Sequence, residues 1–173
     1  MENEIILSIE VMADIASKIN IYNYRKHIYI NRQDWPHGSN EYLKINKNLL
    51  SSIEEAICVF FLFELYDNEE WWDKDDPMTI PEWKQSIKTF WIPSYFTLRG
   101  KDILRYCKVD KEYLKTHNFN NSIDNGEETL YNEVLSRNII RIFKLDDYQS
   151  YLEDLYIIET NDEYIYFNSW VCD

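Results

Sequence analysis

Eight consecutive residues, Ala56 to Phe63 (AICVFFLF), carry no charged or amide side chain. A helix through this run has no side to turn toward water, so the fold must enclose it on most sides. A fully buried strand is the competing form, because a short apolar run does not by itself reveal its period. The residues just upstream favour the helix. Ser51 and Ser52 each precede a glutamate by three positions, Glu54 and Glu55, which is the spacing of a capping box. Ile53, Ile57, Phe60 and Phe61 then share one helical face. The run is too short to cross a bilayer, which takes ~20 apolar residues.

Around this centre the chain alternates between helical and extended periods. Ile5, Ile9, Met12, Ala16 and Ile19 follow four-three spacing and predict an amphipathic helix. The segment 21–30, IYNYRKHIYI, is rich in β-branched and aromatic residues and predicts a strand. The six residues from Trp35 to Asn40 are turn chemistry. A helix is expected over Pro81–Trp91, with proline at its first turn. Residues 99–117 are expected to hold one or two short helices separated near Val109, and 117–126 (HNFNNSIDNG) a loop. Glu127 and Glu128 open a further helix with Leu130, Tyr131, Val134 and Leu135 on its apolar face, stopped by Asn138. Residues 139–143 (IIRIF) predict a strand, and the tail reads as a hairpin about Asn161 and Asp162. The expected architecture is one α+β domain over residues 1–173, with several helices packed on a small antiparallel sheet that ends in a C-terminal hairpin.

Charge narrows the classes of function. The formal net charge is −13. A phosphate backbone needs clustered Lys and Arg, so direct nucleic-acid binding is disfavoured, as is an anionic membrane surface. A basic partner is favoured, and long-range attraction would speed its association. The charge comes in blocks. Residues 64–82 carry eight acids and one base, residues 83–115 carry eight bases and three acids, and residues 145–173 carry eight acids with no Lys or Arg. Two acidic blocks flanking a basic one allow some pairing within the fold.

Motifs of known chemistry are missing or broken. Gly38, Gly100 and Gly126 lie too far apart for a dinucleotide or Walker loop. His27, His37 and His117 match no zinc spacing. Residues 73–76 (DKDD) begin like a calcium loop, but Met78 stands where the glycine belongs and Lys84 where the final glutamate belongs. Cys58, Cys107 and Cys172 form no CxxC pair and read as reduced thiols of a cytosolic protein. The N-terminal residues MENEIILSIEV lack a basic leader and a cleavage motif. Cys107 lies in the basic block, which would lower its pKa, with His117 ten residues on. The plainer expectation is a buried free cysteine on a helix face. No catalytic, cofactor-binding or metal-binding residue is assigned, and the chain is expected not to be an enzyme.

The stretch Glu64 to Glu82 (ELYDNEEWWDKDDPMTIPE) is the candidate partner-binding site. Asp67, Glu69, Glu70, Trp71, Trp72, Asp73, Asp75 and Asp76 combine aromatic contact area with steering charge. The plainer reading puts both tryptophans in the core and leaves the acids solvated. On the C-terminal strand, Tyr164, Tyr166 and Asn168 alternate with Ile165 and Phe167, giving one core face and one aromatic-polar face. Such tyrosines usually serve cross-strand packing. A binding surface reaching to Trp170 is the other reading.

The tail also carries a likeness. ETLYNEVLSRNII followed by DLYIIETNDEYIYFNSW resembles the C-terminal helix and hairpin of small acidic immunity proteins of bacterial contact-dependent or polymorphic toxin systems. The resemblance implies a cytoplasmic inhibitor, monomeric or weakly dimeric, that binds a cognate and basic toxin domain, often a nuclease. It would act by covering the toxin's active or partner-binding surface. An acidic nucleic-acid mimic that sequesters a DNA-binding protein is the alternative from another class.

The missing glycine loops and ligand spacings make a first prediction. Elemental analysis of protein purified without chelator is expected to find no stoichiometric transition metal. An equimolar metal would overturn this reading of the histidines and cysteines.

Overall fold

The computed structural model describes residues 3–35, 38–67, 80–116, 129–146 and 153–171. Its frame is a seven-stranded antiparallel sheet in the order β1-β4-β5-β6-β7-β3-β2. The strands are β1 (Glu4–Ser8), β2 (Tyr29–Trp35), β3 (Gly38–Asn46), β4 (Ile103–Val109), β5 (Ile139–Leu145), β6 (Glu153–Thr160) and β7 (Glu163–Val171). The fold is α+β, as the patterning predicts, and the sheet reaches well beyond the C-terminal hairpin.

Side chains of successive strand residues point to opposite faces, and here both faces are covered. On the first face Ile5, Leu7, Leu43, Ile45, Leu104, Tyr106, Phe143, Ile157, Tyr164 and Tyr166 join one large core. Over them lie α1 (Ile9–Lys18), α2 (Ile21–Tyr24), α3 (Ile53–Asp67) and the helical stretch α4 (Ile80–Ser86) to α5 (Ile92–Leu98). On the second face Tyr42, Ile142, Tyr156, Ile158, Ile165 and Phe167 pack against Leu114 of α6 (Lys111–Thr116) and Val134 of α7 (Thr129–Ser136).

The helix through Ala56–Phe63 forms as expected and is buried all along that run. Its start is fixed by Ser52, whose Oγ accepts from the Glu55 amide at 3.2 Å. Glu55 reaches back to the Ser51 amide at 2.7 Å. Burying a large apolar side chain stabilises by ~1.5–3 kcal/mol, and α3 buries Phe60 and Leu62 completely. The competing buried strand is thereby set aside.

Four local expectations are corrected. The N-terminal helix does not include Ile5. Residues Glu4–Ser8 form β1, whose buried Ile5 and Leu7 alternate, and Ser8 caps α1 by accepting from the Val11 amide at 3.3 Å. The strand expected over 21–30 begins only at Tyr29, because the Asn20 side chain accepts from the Tyr22 amide at 3.1 Å and starts α2. Gly38 to Asn40 belong to β3 rather than to a turn, and the register Trp35↔Gly38 leaves a two-residue connection. Residues Ile103–Val109 are a strand, with Leu104 and Tyr106 buried at period two. Only the part after Val109 is helical, and Asp110 accepts from the Tyr113 amide at 2.7 Å to start α6. The expected loop 117–126, with His117, and the acidic pair Glu127 and Glu128 lie outside the described residues.

The helix expected over Pro81–Trp91 continues to Leu98 through a π-helical turn, Ile87–Trp91. Pro93 has no amide hydrogen to give to Thr89, which permits the ladder to shift, and Ile92 N–H bonds to the Ile87 carbonyl. The helix then stops in a Schellman motif. Gly100 adopts φ 60°, its amide bonds the Thr97 carbonyl at 3.0 Å, and the Lys101 amide bonds the Phe96 carbonyl at 3.1 Å.

The acidic tail does pair within the fold, though not mainly with the basic block at 83–115. Asp154 pairs with Lys144. Glu163 faces Lys44 at 3.4 Å and Arg137 at 3.5 Å. Glu159, nearly buried, accepts from Lys47 Nζ at 2.5 Å and Arg141 Nε at 2.6 Å. Burial alone would raise the Glu159 carboxyl, but the bonds from Lys47 and Arg141 outweigh it and hold the pKa below the ordinary 4.5.

A depressed folded-state pKa stabilises the fold above the ordinary value and loses that contribution as pH falls through the folded value. Glu159→Gln is therefore expected to cost ~1–3 kcal/mol at neutral pH. Acidification to about pH 3.5 should destabilise this variant less than the parent, measured by denaturant unfolding at each pH. Equal pH slopes would show that Glu159 contributes nothing to acid sensitivity.

Candidate functional site

Of the sequence-predicted site residues, Asp67 is the last residue of α3. Glu69, Glu70, Trp71, Trp72, Asp73, Asp75 and Asp76 lie outside the described residues. The helices on either side are described, and a groove opens between them.

The groove runs between the C-terminal half of α3 and the turn from Phe90 to Leu98. It encloses about 300 Å³ and is lined by Phe61, Glu64, Leu65, Phe90, Trp91, Ser94, Tyr95 and Leu98. Each wall has a local cause. Phe61 and Leu65 are one turn apart on α3, so they stand on the same helical face. The π-helical turn adds one residue to its turn, which alters the facing of Phe90 and Trp91 relative to an uninterrupted α-helix. Phe90 and Trp91 meet edge to face with centroids 4.9 Å apart. Phe61 and Tyr95 close one side with centroids 4.8 Å apart.

Two features distinguish this groove from a gap in the core. First, its rim is exposed: Phe90 is 54% and Leu98 78% accessible. Second, it holds a carboxylate. Glu64 lies between Phe61 and Leu65 in the chain, and its Oε1 accepts from the Tyr166 hydroxyl at 2.9 Å. That bond ties the groove to the middle of the sheet. Nearby aromatic rings already receive guanidinium groups, with Arg99 4.5 Å above Tyr95 and Arg25 4.9 Å above Tyr66.

On the C-terminal strand the aromatic face proves to be buried as well, in keeping with the packing reading of its tyrosines. Tyr164 and Tyr166 are buried beneath the first-face helices, and Ile165 and Phe167 are buried on the second face. Tyr166 packs on Phe60 with centroids 5.8 Å apart, so these tyrosines are packing residues. Of that strand's aromatic residues, Trp170 is the exposed one.

Cys107 lies on strand β4 and not on a helix. Its thiol is raised rather than lowered, first by burial and then by Asp146 and Glu4, with Arg105 opposing. Burial pushes the Cys58 thiol up to about 12, assisted by Glu55 and Glu54. Neither is an activated nucleophile. Among the described residues no three His, Cys, Asp or Glu side chains are placed to hold a metal ion, and no helix is long and apolar enough to cross a membrane.

Sequence reasoning predicts α3 but misses the groove, whose residues come from two segments some thirty positions apart. One signal was present: a Phe-Trp pair shortly before a proline, inside a stretch with helical period. No protein-family model, curated protein or solved structure matches this chain.

The rim residues contribute little to the core, which can be checked directly. Phe90→Ser and Leu98→Ser are expected to stay within ~0.5 kcal/mol of the parent in chemical denaturation. Trp83→Ala, on the same helical stretch but 3% accessible, should lose ~3–5 kcal/mol. Equal losses at all three positions would show that the rim is part of the core.

Proposed function

We propose that this chain is a non-enzymatic, cytoplasmic immunity protein that binds and neutralises a cognate basic toxin domain. The observation that carries this reading is the exposed apolar groove between α3 and the helical stretch 80–98. The groove lies between the two elements that the acidic segment connects. Aromatic anchor and steering charge are thus joined in one part of the chain, which is the composition of an interface hot spot beside an electrostatic rim. A nuclease presents cations to hold phosphates, and an acidic protein that covers those cations removes its substrate site.

The nucleic-acid mimic fits less well. A mimic presents a continuous row of carboxylates, whereas Asp154, Glu159 and Glu163 of the acidic tail are each paired with the chain's own bases. The contact is assigned instead to Asp67, Glu69, Glu70, Trp71, Trp72, Asp73, Asp75 and Asp76.

The test is kinetic, against a purified basic toxin domain taken as the candidate cognate partner. Replacing the partner-facing tryptophan, Trp71→Ala or Trp72→Ala, is expected to cost ~2 kcal/mol of binding, mainly through faster dissociation. Charge reversal at Asp73, Asp75 and Asp76 should slow association and flatten its salt dependence with little change in fold stability. Unchanged affinity and salt dependence in the reversal variants would sink the assignment.

A further inference from the structure

We infer that the open edge of β1 is a pairing site for a second copy of this chain, with the two β1 strands antiparallel and centred on Ile6.

The edge is defined by the backbone groups that β4 already uses. Strand β1 ends the sheet order and pairs with β4 alone among the described strands. The Lys108 amide bonds the Asn3 carbonyl at 2.9 Å. Hydrogen-bonded pairs alternate along an antiparallel ladder, so Ile5 and Leu7 also bond β4, while the amides and carbonyls of Glu4 and Ile6 point away from the sheet. The Asp146 amide fixes the same phase from the other side. It bonds the carbonyl of Arg105, the residue opposite Ile6, at 2.7 Å, so Arg105 turns its backbone groups toward β5. Among the described residues nothing bonds the outward groups of Glu4 and Ile6. Exposed strand edges are commonly blunted by lysine, proline or a bulge. Strand β1 (EIILS) has no lysine or proline, and its register with β4 runs without a shift.

An apolar side chain stands beside these groups. Ile6 is 47% accessible, and Ile103, opposite Ser8, is 38% accessible. Both lie on the second face, whose buried cluster draws its strand residues from β3, β5, β6 and β7 and none from β1.

The sequence of the strand selects the occupant. Run antiparallel against itself about Ile6, it sets Ile6 opposite Ile6, Ile5 opposite Leu7 and Glu4 opposite Ser8. Apolar side chains then meet apolar ones, and each carboxylate meets a hydroxyl instead of a like charge. The central pair exchanges two backbone bonds across a two-fold axis, and such a contact closes at two copies. Local charge disfavours a basic protein at this edge. Strands β1 and β4 carry Glu4 against Arg105 and Lys108, and Glu4 lies 3.4 Å from Arg105. No acidic surplus is present here to attract cations, and a second copy meets no local repulsion.

The test uses the full chain without any toxin domain. Sedimentation is expected to show a reversible monomer–dimer equilibrium between ~1 μM and ~1 mM protein. Amide exchange at Glu4 and Ile6 should slow as the concentration rises, while Ile5 and Leu7 are protected throughout. Ile6→Lys sets two ammonium groups against each other on the axis. It is expected to raise the dissociation constant at least ~tenfold with an unchanged far-UV spectrum, whereas Ile6→Val keeps the dimer. With Cys107→Ser and Cys172→Ser in place, Ile6→Cys should form a disulfide between copies, because hydrogen-bonded partners bring their Cα atoms to ~5.5 Å. Arg105→Cys, one strand inward on the same face, should not. Two copies of net charge −13 repel at long range, so added salt should tighten the dimer. A chain that is monomeric to ~1 mM would overturn the inference. So would a dimer that Ile6→Lys leaves intact, one that salt weakens, or cross-linking at Arg105→Cys in place of Ile6→Cys. Protection of Ile6 that appears only on adding a toxin domain would overturn it as well, by giving the edge to that partner.

Discussion

The enclosure of α3 is the constraint on which the rest depends. A helix that is apolar on every side contributes hydrophobic burial in all directions, and it has to be met in all directions. The sheet meets it from one side through β7, where Tyr166 packs on Phe60, while α1, α2 and Tyr95 of the 80–98 helical stretch meet it from the others. The first-face layer is therefore thick, and among the described residues the second face is met by the short α6 and α7. The groove lies where this enclosure is incomplete. Past Phe63 the helix becomes amphipathic, with Glu64, Leu65 and Tyr66 partly accessible, and the π-helical turn holds the neighbouring helix in a shape that does not close over it.

What was legible in the sequence follows from how local each signal is. Helix α3 announces itself through a long apolar run and serines placed to cap it, and the final hairpin through two extended runs about a short polar turn. Both are determined within about fifteen residues. Strand β4 reads as helix because Arg105 and Lys108 interrupt it, and its alternation rests on only Leu104 and Tyr106. Its burial comes from pairing with β1 and β5, which are distant in sequence. The segment after Asn20 was misread for the opposite reason, since β-favouring composition yielded to one capping side chain. The groove was least legible. The facing of Phe90 and Trp91 depends on a one-residue shift in the hydrogen-bond ladder, and a proline permits that shift without requiring it.

The distribution of charge also takes a clearer meaning. Blocks that look alike in the sequence divide into two kinds. Asp154, Glu159 and Glu163 on β6 and β7 are drawn into ion pairs with Lys47, Arg141, Lys144, Lys44 and Arg137, and they help fix the register of adjacent strands. Because each carries at least one local counter-charge, the field they project outward is weakened. Glu64 stands at the boundary between core and surface, where its carboxylate accepts from Tyr166 of the central sheet.

The position of β7 has a consequence for how the chain is made. This strand is the last in sequence, yet it sits between β6 and β3 near the middle of the sheet. Its register with β3 joins Asn46 to Glu163 and Gly38 to Val171, residues more than a hundred positions apart. During synthesis the ribbon of β2 and β3 and the ribbon of β4, β5 and β6 can each assemble, but neither can bind the other until residues 163–171 emerge. The β3 edge thus stays open while the residues between Asn46 and Glu163 are made. Such edges are templates for wrong pairing. Closing the sheet is a late, long-range event, so folding should be slow for a protein of this length. A release of the final strand would split the sheet into two halves rather than trim it at one end.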